Sequence, residues 1–178
     1  TGDYYANIVN WPAPGVQDTD RIGDEIIVKS CTYQMWIKLN LGCPQAAIRV
    51  IFFQIPDTLV GTGTLTSFWK FGDFNGPLMC SVNREKYNVI SDKIHILTTA
   101  GTNLSPASAP LAQKSTTGFK LTRGTIMRPQ KVVFNSGTTV VKYKRQEIHC
   151  VIIGDCPGWV EGTELARVQY GIKLNFRN

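Results

Sequence analysis

Residues that usually carry chemistry are scarce in this sequence. It has two histidines, His95 and His149, and neither has a second ligand at metal-binding spacing. A zinc site of His149, Cys150 and Cys156 is disfavoured, because His149 and Cys150 are adjacent and point to opposite faces of a strand. No Gly-x-Ser-x-Gly motif, phosphate-binding loop or dinucleotide fingerprint occurs. We therefore expect no enzyme activity, no small-molecule substrate, no cofactor and no metal site.

Three further absences narrow the class of protein. No apolar run of about 18 residues occurs, so no transmembrane helix is predicted. The first residues are neither basic nor strongly apolar, so no signal peptide is expected. The five cysteines are widely spaced without a Cys-x-x-Cys pair, which favours reduced thiols over a disulfide framework.

One group of acids could form a calcium site between subunits. Asp18, Asp20, Asp24 and Glu25 lie close together in the sequence, and carboxylate oxygens are the ligands that calcium takes. The simpler interpretation is that these side chains are solvated where a strand begins, and we expect that one.

Acidic residues are nearly missing from the segment 114–147. The formal net charge of the chain is +6, and this segment has one acid, Glu147. Eight of the 19 basic residues lie there, which leaves 11 basic and 12 acidic residues elsewhere. They are Lys114, Lys120, Arg123, Arg128, Lys131, Lys142, Lys144 and Arg145. Such a cluster attracts polyanions such as nucleic acid or sulfated glycans, although exposed lysines and arginines also serve solubility alone.

The hydrophobic pattern predicts strands and no helix of more than a turn or two. Sixteen glycines and nine prolines favour many turns. Strands are predicted at 21–41, 46–55, 84–97, 114–123, 125–135, 138–153 and 164–176. In 21–41 the apolar residues change face halfway along. Gly124 separates two of the strands, and Pro129 indicates an edge or a break. With roughly eight strands and long loops, the expected fold is all-β: an eight-stranded antiparallel jelly roll at 21–178, after an extended leader at 1–20.

Large aromatic side chains are concentrated in segments without periodicity. Trp11 lies in the leader, the connection 57–83 holds four aromatics, and Trp159 lies in the loop 154–162. Long loops and aromatic residues are both typical of interaction surfaces. The predicted subunit-interface residues are Trp11, Phe68, Trp69, Phe71, Phe74 and Trp159. The alternative is that the aromatics of the long connection are buried beneath it.

The strand predicted at 84–97 has an apolar bias on one side. Ile90, Ile94 and Ile96 share one face, because side chains alternate along a strand. Asp92 and His95 look like a catalytic pair beside Lys93, but these neighbours alternate faces and cannot converge on one substrate. We therefore interpret the stretch as a framework strand.

The same stretch carries a family resemblance. Residues Arg84-Glu85-Lys86-Tyr87-Asn88-Val89-Ile90-Ser91-Asp92-Lys93 resemble a segment of capsid proteins from circovirus-like (CRESS-DNA) viruses, which have small circular single-stranded DNA genomes. There an arginine and an aromatic precede a Val-Leu or Val-Ile pair, and Asp-Lys follows. Arg21 to Ile26 is similar to the family's first long strand, and Val168 to Arg177 to its final strand.

The resemblance implies a single jelly roll that assembles with copies of itself into a small icosahedral shell, of the T=1 type, around single-stranded DNA. It also implies residence in the virion, with assembly in the host nucleus. The family usually begins with an Arg-rich arm that binds the genome, and the printed sequence contains none. We therefore assign nucleic-acid binding to the basic cluster, at Lys120, Arg123, Arg128, Lys131, Lys142, Lys144 and Arg145. That cluster could instead face outward and bind host-cell surface glycans.

Two other classes remain open from the sequence. The capsid of a satellite or other small RNA virus has the same fold and encloses the other nucleic acid. A cellular jelly-roll recognition module, such as a lectin or a trimeric ligand, also fits the strand pattern.

Overall fold

The structure, a computed structural model, describes residues 2–17, 20–40, 45–56, 68–70, 78–98, 119–156 and 165–178. Within these ranges the fold is two antiparallel β-sheets packed face to face, without an α-helix. The strands are β1 (Gly2–Asn7), β2 (Glu25–Leu39), β3 (Gln45–Gln54), β4 (Asn88–Thr98), β5 (Phe119–Met127), β6 (Gln130–Val133), β7 (His149–Asp155) and β8 (Ala166–Arg177). A short 3-10 helix, Lys144–Gln146, precedes β7. The predicted all-β antiparallel class is confirmed for this part of the chain.

The first sheet has the strand order β1-β7-β3-β4. The second sheet is built around β2, which pairs with β8 along residues 27–39. The opposite edge of β2 pairs with β6 at residues 25–28 and with β5 at residues 31–38. Since β8 occupies one edge of β2 throughout, β5 and β6 must follow one another along the other edge.

The break between β5 and β6 falls at Pro129, which has no backbone N–H to donate to the ladder. The prediction that Gly124 separates two strands is wrong, because Gly124 lies inside β5 opposite Tyr33. A Cβ at Gly124 would lie 2.6 Å from Cε1 of Tyr33, so the absence of a side chain lets the two strands approach.

A β-bulge in β2 keeps one face of this long strand in the core. Ile26 and Val28 are buried, and the next buried residue is Cys31, three positions on. The pairing with β8 shifts register between Val28 and Ser30, and the pairing with β5 shifts between Cys31 and Thr32. An extra residue reverses the side-chain alternation. The predicted change of buried face along this segment is therefore wrong, since the bulge absorbs it.

The main core lies between the two sheets. One face of β2 supplies a row of buried residues, and β3 and β7 supply the facing rows. The β2 residues are Ile26, Val28, Cys31, Tyr33, Met35, Ile37 and Leu39. Their partners on the first sheet include Ala46, Ile48, Val50, Phe52, Cys150 and Ile152. Fully burying one such aliphatic or aromatic side chain stabilises the fold by roughly 1.5–3 kcal/mol.

A second, smaller core covers the other face of the first sheet. Ile51 and Phe53 of β3 and Ile153 of β7 pack there beneath Phe68 and Tyr87. The Phe53 ring centroid lies 4.8 Å from that of Phe68 and 5.7 Å from that of Tyr87. The described parts of the long connection between β3 and β4 therefore fold back onto the sheet.

Two predicted boundaries need correction. The strand predicted at 138–153 begins at His149, because the residues before it pair with β6 in a turn: Lys142 N donates to Val133 O at 2.8 Å. In the leader, Gly2–Asn7 forms β1 and pairs with β7, so part of the predicted leader belongs to the first sheet. This strand was not predicted.

The apolar side of β4 is largely exposed. Ile94 is 47% exposed and Ile96 is 70% exposed. β4 lies at the end of the described strand order, so its outward residues gain less cover than those of β3. Its buried contribution to the main core is Leu97.

Candidate nucleic-acid interface

The second sheet presents a basic surface away from the core. Because Met35 and Ile37 point into the core, Trp36 and Lys38 between and after them point outward. The same alternation places Arg123 of β5 and Lys131 of β6 on this side, both exposed. We refer to this surface of β2, β5, β6 and β8 as the outer face.

The strand β8 adds the largest number of cations to the outer face. Arg167, Lys173 and Arg177 pair in register with Lys38, Thr32 and Ile27 of β2, and all three are exposed. Their neighbours Val168, Ile172 and Leu174 turn toward the core instead. The outer face thus carries seven cations: Lys29, Lys38, Arg123, Lys131, Arg167, Lys173 and Arg177.

One acid balances this set within the described residues of the outer face. Glu25 lies beside Lys131, with 2.6 Å between Oε2 and Nζ, and both side chains are more than half exposed. An exposed pair of this kind contributes little to stability. The remaining cations leave a positive field over a flat sheet, which is suited to phosphate groups without regard to base sequence.

A shallow depression lies in the middle of the outer face. Polar residues line it together with Trp36, Tyr33, Tyr170 and Ile172, and two cations stand at its sides. The lining includes Thr32, Gln34, Trp36, Arg123, Thr125, Gln169 and Lys173. Arg123 and Lys173 come from the strands on either side of β2, which lie roughly 10 Å apart at the usual strand spacing.

The predicted nucleic-acid residues do not all lie on the outer face. Arg123 and Lys131 do, whereas Lys120 pairs with Ile37 and points to the opposite side of β5, near His95. Arg128 is exposed at the break between β5 and β6. The role of each in binding stays a prediction.

Lys142 and Arg145 lie on the connection between β6 and β7. Both flank the ring of Tyr143: Nζ of Lys142 is 5.9 Å and Cζ of Arg145 is 5.3 Å from its centroid. Lys144 belongs to the 3-10 helix, and its side chain lies outside the described residues. This connection is a second basic region, separate in the chain from the outer face.

The sequence-based prediction did not include five cations of the outer face: Lys29, Lys38, Arg167, Lys173 and Arg177. They lie outside the segment 114–147, so a count of charge along the chain does not collect them. A usable signal existed in β8, where Arg167, Lys173 and Arg177 alternate with apolar residues. Their convergence with β2 depends on the strand pairing, which the sequence does not specify.

The predicted interface aromatics divide into three groups. Phe68 is 2% exposed and packs in the second core, so it offers no surface to another subunit. Trp69 and Trp11 are half-buried, and Trp11 packs edge-to-face on Phe134 with centroids 5.8 Å apart. Phe71, Phe74 and Trp159 lie outside the described residues. An interface role for Trp11 and Trp69 stays a prediction.

Two buried arginines organise the loops. Arg21 is fully buried: Nη2 donates to Thr138 O at 2.6 Å, Nη1 donates to Gly23 O, and the guanidinium lies 4.3 Å from the Phe134 ring centroid. Arg49 of β3 donates from Nη1 to the carbonyls of Leu78 and Cys80 at 3.0 and 2.6 Å. These contacts tie the leader and the long connection to the sheets, which is a structural role.

The acids considered for calcium have other partners. A hydrogen bond with Ser136, and then one with Arg21, lowers the pKa of Asp24. Glu25 pairs with Lys131, and Asp20 accepts a hydrogen bond from Gln17 N at 3.1 Å. Asp18 lies outside the described residues. Among the residues placed by the structure, no cluster of three or more His, Cys, Asp and Glu side chains could hold a metal.

The cysteines differ in state. Burial raises the pKa of Cys31 to about 11 and that of Cys150 to about 12, so both thiols are protonated at neutral pH and are poor nucleophiles. Cys156 takes part in a disulfide, so the expectation of reduced thiols is wrong for this residue. Cys31, Cys80 and Cys150 are free.

No family model and no curated protein matches the chain. In the part of the chain that the structure places, no helix is both long enough and apolar enough to span a membrane.

Proposed function

We propose that the chain is a viral capsid protein that assembles into a small icosahedral shell around single-stranded DNA, as the resemblance to circovirus-like capsid proteins implies. The observation that carries the proposal is the segregation of charge: seven cations and one acid share the outer face of one sheet of a β-sandwich. A shell must accept any genome sequence, and a cationic sheet binds phosphates without reading bases.

We propose further that the sandwich is an eight-stranded jelly roll. The pairing of β2 with β8 and of β3 with β7 supports this, because early strands pair with late strands in reverse order. The chain also crosses from one sheet to the other between β2 and β3, between β6 and β7, and between β7 and β8. Nested pairing with such crossings is what two Greek keys produce.

Assembly is the proposed activity, and no catalysis is proposed. Identical subunits bury the same surface patches under closed symmetry, and packaged nucleic acid offsets the repulsion between like-charged faces. In β4, Asp92 is held by Arg49, which suits a framework role. The proposed locations are the virion and, during assembly, the host nucleus.

The test is to express the full chain and to image the purified material by negative-stain electron microscopy. Closed particles of uniform diameter are the expected result. Polymer extracted from the particles should be destroyed by DNase and should survive RNase. The opposite nuclease result would replace the DNA virus with a satellite or other small RNA virus.

A stable monomer at high protein concentration and low salt would overturn the capsid proposal. A glycan array on that monomer would then test the lectin-type module, for which sulfated glycans are the ligands that the basic surface favours.

A further inference from the structure

We infer that the outer face binds unpaired nucleic acid in preference to duplex, with Trp36 as a platform on which a base stacks. The inference deepens the proposed function and rests on it for the class of ligand. It assigns a site around Trp36 with Arg123 and Lys173 at its sides.

Trp36 is placed where a ligand can reach it. Its neighbours Met35 and Ile37 are fully buried, whereas Trp36 is half-buried on the opposite side of the strand and lines the depression. Its register partners are Leu121 of β5, which is 42% exposed, and Gln169 of β8. A large aromatic residue at the centre of a cationic sheet is not needed by the core, which lies on the other side.

The charges around Trp36 fit a strand of phosphates. Lys38 is the next outward residue of β2. Arg123 pairs with Gln34, two positions before Trp36, and Lys173 pairs with Thr32, four positions before it. Along β8, Arg167 and Lys173 are separated by roughly 20 Å, since a strand advances about 3.3 Å per residue. The cations therefore surround the tryptophan on several sides and can hold the backbone of a strand that passes over it.

Stacking on Trp36 selects for single strands. In a duplex both faces of each base are already stacked, so an aromatic side chain gains a base face only from an unpaired nucleotide. Each such contact is tolerant of sequence, because every base has a π-face. We therefore expect the site to prefer single strands to duplexes and to show no preference for base sequence.

A membrane surface is the other polyanion that a basic, aromatic patch can meet. The outer face is less suited to it, because the polar side chains of Thr32, Gln34, Thr125 and Gln169 interrupt the apolar surface of the depression. Binding in the plane of a membrane requires a larger continuous apolar area than Trp36 and Leu121 provide.

The test compares a labelled oligothymidylate with a DNA duplex of the same length by fluorescence anisotropy, at fixed salt, using the full chain. Trp36→Ala should weaken binding of the single strand about tenfold and leave duplex binding nearly unchanged. Trp36→Phe should restore most of the loss, because it keeps an aromatic ring. Circular dichroism melts of each variant check that the fold is intact.

The matched control is Tyr143→Ala. Tyr143 is also an exposed aromatic residue beside two cations, but it lies on the connection between β6 and β7. It should leave both affinities unchanged. Equal affinities of Trp36→Ala and the unaltered chain for the single strand would overturn the inference, as would an equal loss for both ligands. Tighter binding to anionic vesicles than to the oligonucleotide would also overturn it.

Particle imaging on the same preparations separates the two proposals. Particles that form normally while Trp36→Ala has no effect on binding would overturn this inference alone. Selective binding of single strands by a chain that never forms particles would overturn the capsid proposal and leave the site in place.

Discussion

Arg49 of β3 donates two parallel hydrogen bonds to the carboxylate of Asp92 of β4. Nε donates to Oδ1 at 2.8 Å and Nη2 donates to Oδ2 at 2.7 Å. Asp92 pairs in register with Ile51 rather than Arg49, so the bonds run diagonally across the two strands. The Arg49 side chain is 7% exposed, and the guanidinium also faces the Trp69 ring. The ion pair therefore joins two neighbouring strands, and the contact with Trp69 ties the same arginine to the long connection that covers them.

Removal of the charge at Asp92 should destabilise the fold strongly. Asp92→Asn leaves a buried guanidinium without its counter-ion, which costs about 3 kcal/mol. For a domain of this size that corresponds to a fall in Tm of roughly 6–12 °C, measured by differential scanning calorimetry. The control is Glu85→Gln, which breaks the exposed Lys70–Glu85 pair at 3.6 Å and should not shift Tm measurably. Equal shifts in Tm for the two variants would show that the buried ion pair contributes no more to stability than the exposed one.

A methyl group at Gly124 should be poorly tolerated. Gly124→Ala places a Cβ against Tyr33, whose ring is fixed between the strand and Phe52 at a centroid distance of 4.5 Å. Overpacking of this kind costs about 1–3 kcal/mol. The matched control is Gly171→Ala in β8, where no atom lies within 4 Å of the added Cβ. Urea unfolding should show a lower midpoint for Gly124→Ala alone, and equal midpoints would mean that Tyr33 moves aside freely.

Stability should fall as the pH drops below the ordinary histidine range. Burial, with smaller effects of Lys120 and Lys93, lowers the pKa of His95 from 6.5. The unfolded chain then binds a proton near pH 6.5 that the folded chain binds only at lower pH. Because the unfolded state holds more protons in that window, the free energy of unfolding falls as the pH decreases through it.

Two variants at this site separate the causes. His95→Gln should flatten the pH dependence of the urea midpoint between pH 7 and the folded pKa. Lys120→Gln should make it shallower, because one of the charges that oppose protonation is lost. Unchanged slopes in both variants would mean that another titratable group governs the pH dependence.

The salt dependence of DNA binding should identify which basic region holds phosphates. Arg123→Gln with Lys173→Gln should reduce the slope of log K against log salt for a single strand by about 1.4, roughly 0.7 for each lost phosphate contact. The triple variant Lys142→Ala, Lys144→Ala, Arg145→Ala tests the connection between β6 and β7. If the triple variant alone lowers the slope and the amount of packaged nucleic acid, then the connection holds the phosphates and the outer face does not.

The sequence predicted the long strands well, because propensity and alternation agree in them. The predicted strand at 164–176 matches Ala166–Arg177, and 46–55 matches Gln45–Gln54. It missed Gly2–Asn7, where Asp3 and Asn7 are poor strand formers and the pairing with β7 carries the strand. The sequence also predicted that the strand begins at 138, whereas β7 begins at His149. A β-prone segment does not specify whether a partner strand lies beside it.

Only a minority of the candidate site could be predicted, for a related reason. A count of charge along the sequence groups residues that are close together in the chain, and such a count identified Arg123 and Lys131. The outer face also needs Lys38 from β2 and Lys173 from β8, whose proximity depends on register. The bulge near Ser30 decides that register. The change of apolar face within 21–41 marks the bulge in the sequence, but it does not say how the neighbouring strands pair.

The pairing of β2 with β8 has a consequence for how fast the chain can fold. Ile27 pairs with Arg177 and Leu39 with Ala166, so the longest ladder in the molecule joins residues far apart in sequence. Such contacts form late, because the entropy of closing the intervening loop opposes them, and all-β domains of high contact order fold in milliseconds to seconds or more slowly. During synthesis β2 emerges long before its partner. Until β8 has been made, one edge of β2 has no hydrogen-bonding partner and its apolar residues stay uncovered. We therefore expect chaperones to bind at this strand and aggregation to begin there.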